Sequence, residues 1–135
     1  MGAWNYGVFD DDTAYDALDD LKASKDIITE MEQYFDKVII SDYVDYEEGH
    51  YALVSAAIMD STMHGMLCRC DDDTYDKWIK TLQGHDFSSL VQKAVTAIDA
   101  VLSDHSELKE LWEENEELYT SWRDDKLEIR KRLLL

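Results

Sequence analysis

The chain has 135 residues and 15.7 kDa, a length for one domain that buries about two thirds of its unfolded surface. Its 45% apolar and 11% aromatic content excludes low-hydrophobicity disorder, and no run approaches the roughly 18 apolar residues of a membrane-spanning helix. With 31 acids against 13 bases the formal net charge is −18, which disfavours binding to nucleic acid phosphates or anionic membranes.

Proline is absent and only five glycines occur, so nothing forbids long helices. Ala14, Ala17, Leu18 and Leu21 fall at i, i+3, i+4 and i+7 after Asp10, Asp11 and Asp12, with Thr13 and Asp16 in the spacing of a capping box. Ile27, Ile28, Met31, Tyr34, Phe35, Val38 and Ile39 predict a second helix with one buried face. The pattern breaks over 40–46, read as a connection. From Glu47 to Met66 the chain is apolar on nearly every side, which predicts the central helix, with Gly65 at its C-terminal stop.

Tyr75, Trp78, Ile79 and Leu82 predict a short fourth helix, led in by Asp71, Asp72 and Asp73 and stopped at Gly84. The DDDTYD here echoes DDDTAYD at Asp10, which shared capping chemistry explains without an internal repeat. Leu90, Val91, Ala94, Val95, Ile98, Val101 and Leu102 make the fifth stripe. The sixth begins at Asp104, capped with Glu107, and its apolar face continues for up to about 28 residues, bending near Arg123–Asp125 if it bends. The expectation is an all-α, single-domain bundle of about six helices ending in a long one.

Charge is uneven. Met1–Leu67 holds 15 acids and 3 bases, whereas Cys68–Leu135 holds 16 and 10. In the last helix Glu107–Glu117 is acidic and Arg123–Arg132 basic, the order a helix dipole prefers. Met1–Asp10 lacks the basic and apolar regions of a secretory signal, Tyr6 replaces the Ser or Thr of a myristoylation motif, and Cys68 with Cys70 forms no disulfide framework. A cytoplasmic location is expected.

The opening MGAWNYGVFDDDTAYDALDDL resembles the MGAWG-x-G-x-F-[DE]-[ND]-D signature of an uncharacterised bacterial family, domain of unknown function 4259. The closing LSDHSELKELWEENEELYTSWRDDKLEIRKRL is similar to that family's Ser-Glu-Leu start, Leu-Trp pair and later Trp-Arg. The resemblance implies an all-helical domain with no established activity and no catalytic residues to transfer. Asn5 stands where the family has Gly, and Asn is the residue best able to keep a positive φ there. Read physically, the signature is a strap in which Gly2, Asn5 and Gly7 bend the backbone and Trp4, Tyr6, Val8 and Phe9 anchor it to the bundle.

Motifs for chemistry are few. Glu47-Glu48-Gly49-His50 has the E-x-x-H spacing of di-iron bundles but no second copy, and the aspartate triads lack the Gly and closing Glu of an EF-hand. His64, Cys68 and Cys70, with His85, have the donor types of a zinc site without a known zinc spacing. H-E-x-x-H, G-x-S-x-G and phosphate-loop motifs are missing. No metal, cofactor or catalytic residue is assigned.

The favoured expectation is a non-catalytic protein-binding module that docks or neutralises a basic partner, in the manner of an immunity protein or antitoxin. Its candidate contacts are Asp10, Asp11 and Asp12, or Glu113, Glu114, Glu116 and Glu117. The alternative is a metal-dependent enzyme or hydrolase assembled around Glu47, His50, His64, Cys68 and Cys70. Oligomeric state is not legible.

Overall fold

The computed structural model describes residues 5–65 and 74–135. Seven α-helices occur among them: α1 (Asp12–Ala23), α2 (Ile27–Ile40), α3 (Tyr46–His64), α4 (Tyr75–Thr81), α5 (Val91–Val101), α6 (Glu107–Glu113) and α7 (Tyr119–Leu133), with a 3-10 turn at Ser88–Leu90 before α5. Strand structure among the described residues is limited to one parallel bridge, Val44 with Ser106. There the Val44 amide donates to His105 O at 2.7 Å and the Glu107 amide to Val44 O at 2.9 Å, fastening the α2–α3 connection to the start of α6.

The first three helices start on aspartates. Asp11 accepts the Thr13 amide, Asp26 the Thr29 amide and Asp45 the Glu48 amide, each satisfying a donor that the first helical turn leaves free. The capping box expected at Thr13 and Asp16 is therefore replaced by Asp11 two residues earlier. Gly65 closes α3 at φ 68°, a left-handed position that a side chain would strain, and its amide donates to Ser61 O.

α3 is the axis of the fold, packed against all six other helices, while α2 also packs along α5 and α5 along α7. Ala52–Thr62 is buried on every side, so small residues let neighbours approach and each polar group inside needs a partner. The Ser55 and Thr62 hydroxyls donate to Tyr51 O and Ile58 O one turn back, and Ser61 shares a hydrogen bond with the Tyr75 hydroxyl at 3.0 Å. Asp60 takes a two-pronged contact from Arg132 of α7, with Nε at 2.9 Å from Oδ2. Burial pushes the Asp60 carboxyl up, and the guanidinium offsets only part of that.

The largest departure from expectation is the single long last helix. It is two helices, broken over 114–118, where the Leu118 amide donates to Asn115 Oδ1 at 3.0 Å. The apolar face continues across the break because Trp112 of α6 and Trp122 of α7 stack at 5.8 Å. α6 is capped by Ser106 rather than Asp104, which pairs with Lys109, while Glu107 Oε1 accepts the Tyr46 amide at 2.9 Å. Asn5 has no positive φ; its Oδ1 accepts the Tyr6 amide at 2.8 Å instead. α4 ends at Thr81, short of Gly84. Asp71, Asp72, Asp73 and both cysteines lie outside the described residues.

Candidate functional site

The opening strap runs onto the bundle as far as it is described; Gly2 and Trp4 lie outside the described residues. Val8 and Phe9 are buried, and the Phe9 ring meets Tyr75 of α4 at 5.3 Å and Tyr15 of α1 at 6.0 Å. Lys126 of α7, itself buried, donates through Nζ to Tyr6 O at 2.7 Å and to Asp125 at 2.8 Å. Asp10 turns inward and accepts the Gly7 amide at 2.9 Å. A Cβ on Gly7 would stand 2.7 Å from Asp10 Oδ2, so the turn has no room for one while that bond is kept.

Asp11 is likewise buried and reaches α3. The Tyr46 hydroxyl donates to its Oδ2, and His50 Nε2 lies 3.5 Å from the same oxygen. Burial opposes its ionisation, but His50, the Tyr46 hydroxyl and the Thr13 amide outweigh that and hold the carboxyl at about 2. The His50 contact is in ion-pair range yet longer than the roughly 2.7–3.2 Å of a good N–H···O bond, and neither ring nitrogen has a hydrogen-bond partner among the described residues. Of the three aspartates expected at a partner surface, only Asp12 is exposed.

Of the constellation considered for a metal enzyme, Cys68 and Cys70 lie outside the described residues, and Glu47, His50 and His64 are not brought together. Glu47 is exposed and His50 buried, although they lie three positions apart on α3. His64 stands at the other end of the same helix, about 21 Å from His50 at ~1.5 Å per residue, so the two cannot share an ion. Among the described residues no three His, Cys, Asp or Glu side chains converge as metal ligands.

Glu113, Glu114, Glu116 and Glu117 are all exposed, around the break between α6 and α7. Leu111, Glu114, Asn115, Glu116 and Glu117 line an open depression of about 490 Å³ there. Lys109 approaches Glu113 at 3.8 Å, whereas Glu114, Glu116 and Glu117 have no cation in ion-pair range among the described residues. The depression lies at the helix break, where Leu111 and Glu113 end α6 and Glu114–Glu117 form the turn into α7.

A second concavity was not anticipated. Tyr34 and Lys37 of α2, Asp45, and Glu47, Glu48 and Tyr51 of α3 line a groove of about 240 Å³. Its tyrosines meet edge to face at 5.0 Å, and their hydroxyls donate outward, Tyr34 to Glu30 at 2.6 Å and Tyr51 to Asp20 at 2.9 Å. Partial burial and those carboxylates push both hydroxyls well above the usual tyrosine range. Tyr34 belongs to the α2 stripe taken as core; the signal overlooked was that aromatics on α2 and α3 share a corner with the Asp45-Glu47-Glu48 cap.

Fold and surface together define an all-α, single-domain protein that presents carboxylate-lined hollows on its described surface. Its family follows from the sequence: the family described as domain of unknown function (DUF4259) matches residues 2–125, and the chain belongs to it. No curated protein and no solved structure matches the chain. Among the described residues no helix is long and apolar enough to cross a membrane.

Proposed function

We propose that the protein is a non-catalytic binding module of the bacterial cytoplasm that docks or neutralises a basic protein, as an immunity protein or antitoxin does. The observation that carries this reading is the corner formed by Glu114, Glu116 and Glu117, three exposed carboxylates with no cation in ion-pair range among the described residues, beside the apolar side chain of Leu111. Like charges held together repel one another, and an incoming basic surface relieves that repulsion. Complementary charge of this kind mainly accelerates encounter, with affinity supplied by apolar anchors. Asp12 adds to the field; Asp10 and Asp11 are committed to the fold.

Lysate capture at low and high salt, run beside the Glu114→Lys/Glu116→Lys/Glu117→Lys variant, tests the reading. The expected result is a basic protein held by the wild type at low salt, released at high salt, and not held by the variant. Retention that survives the charge reversal contradicts it.

A further inference from the structure

We propose that the groove between α2 and the first turns of α3 receives a single arginine side chain of the basic partner. The assignment rests on the protein-binding reading and narrows it to one residue type. At about 240 Å³ the groove has space for roughly eight waters at ~30 Å³ each, the scale of one long side chain rather than of a folded element.

Its lining combines two kinds of group that a guanidinium uses together. Tyr34 and Tyr51 provide aromatic surface, and Asp45, Glu47 and Glu48 provide carboxylates. A planar guanidinium can stack on a ring while forking two N–H donors to a carboxylate, which a lysine ammonium cannot do. The tyrosine hydroxyls are already given to Glu30 and Asp20, so they do not occupy the groove's own carboxylates. Asp45 is partly used in capping α3, and Glu48 accepts the Ser41 hydroxyl at a long 3.4 Å. Glu47 is exposed and has neither a hydrogen bond nor an ion pair among the described residues. Lys37 lines the groove but makes no ion pair among the described residues, leaving three carboxylates against one cation in the lining. A divalent metal is a poorer occupant, because no three ligands converge among the described residues.

The neighbourhood points independently to a protein rather than a small cation. Ile40, one turn beyond Lys37 on α2, is 80% exposed, and Tyr43 in the following connection is 46% exposed. Large apolar side chains left in water beside a charged hollow have the anatomy of an interface, with anchors for the segment that carries the arginine. Tyr43 also reaches towards the acidic corner: its hydroxyl donates to Glu110 Oε2 at 3.0 Å, and Glu113 stands about 4.5 Å further along α6.

An NMR titration of the ¹⁵N-labelled full-length chain with the capped peptide Gly-Ser-Arg-Ser-Gly tests the proposal, alongside its lysine and neutral citrulline counterparts. Saturable shifts are expected at Tyr34, Lys37, Glu47, Glu48 and Tyr51, at least threefold weaker in affinity for lysine and absent for citrulline. The exposed-site variant Glu47→Gln should weaken the arginine peptide at least threefold without altering the rest of the spectrum. Equal responses to arginine and citrulline, or no response in the groove, overturn the arginine receptor. If the groove is silent while Glu114–Glu117 respond, the docking reading stands without it; silence at both hollows counts against both.

Discussion

Asp11 does three things at once: it caps α1, accepts the Tyr46 hydroxyl and faces His50. Its carboxyl is held at about 2 against an ordinary 3.8, a depression equivalent to about 2 kcal/mol. Because the folded value is the lower one, this stability is present above pH ~4 and is lost as pH falls towards 2. Asp11→Asn keeps a capping oxygen but removes the charge. Urea unfolding of both proteins from pH 6 to pH 2 should show the wild type's advantage shrinking by about 2 kcal/mol; parallel curves would show that Asp11 carries no such linkage. Sequence signalled an aspartate near the start of α1 but not its direction. The triad at Asp10 has the composition of a solvated run, and only the tertiary arrival of Gly7, Tyr46 and His50 turns two of its three members inward. The E-x-x-H spacing is uninformative for the same reason, since spacing puts Glu47 and His50 near one helical face and says nothing about which of them the neighbouring helices cover.

At the scale of elements, stripes of apolar residues located α1, α2, α3 and α5 within a few residues, because each buries a face whose period is that of the helix. The break between α6 and α7 escaped the same reasoning. Trp112 and Trp122 keep the apolar period, and nothing in that period reveals that Asn115 turns its side chain onto the backbone between them. Gly49 illustrates what periodicity omits. A Cβ there would stand 2.7 Å from Leu108 Cδ1, so the glycine is the notch in α3 that seats α6. Gly49→Ala gains about 1 kcal/mol of helix propensity but overpacks a fully buried Leu108 at about 1–3 kcal/mol. Net destabilisation is expected, and the double variant Gly49→Ala/Leu108→Val should be more stable than the sum of the single effects. Additive effects in a double-mutant cycle would mean that the notch does not set the α3–α6 contact.

Across the whole molecule, the strap and the last helix close the fold on itself, with Lys126 Nζ reaching back to Tyr6 O and Phe9 seated between α1 and α4. Phe9→Ala should therefore lower stability by about 3–5 kcal/mol, a large share of the ~5–15 kcal/mol a domain of this kind holds. A change below about 1 kcal/mol in urea unfolding would reduce the strap to a surface ornament. The acidity of Glu113–Glu117 was legible in the sequence because four acids fall within five residues; the corner they occupy was not, because it depends on the helix break. The tyrosine groove was not, because Tyr34 and Tyr51 converge from two helices and their partners Glu30 and Asp20 come from further sites still. Charge then acts beyond any one hollow: an excess of 18 negative charges attracts a basic protein over about 10 Å at 0.1 M salt and less at higher salt. The most direct measurement is the association rate of the captured basic protein with wild type and with the Glu114→Lys/Glu116→Lys/Glu117→Lys variant, from about 20 to 300 mM salt. The account predicts a wild-type rate that falls at least about tenfold across that range and a slower, flatter profile for the variant. Rates that coincide at every salt concentration would contradict it.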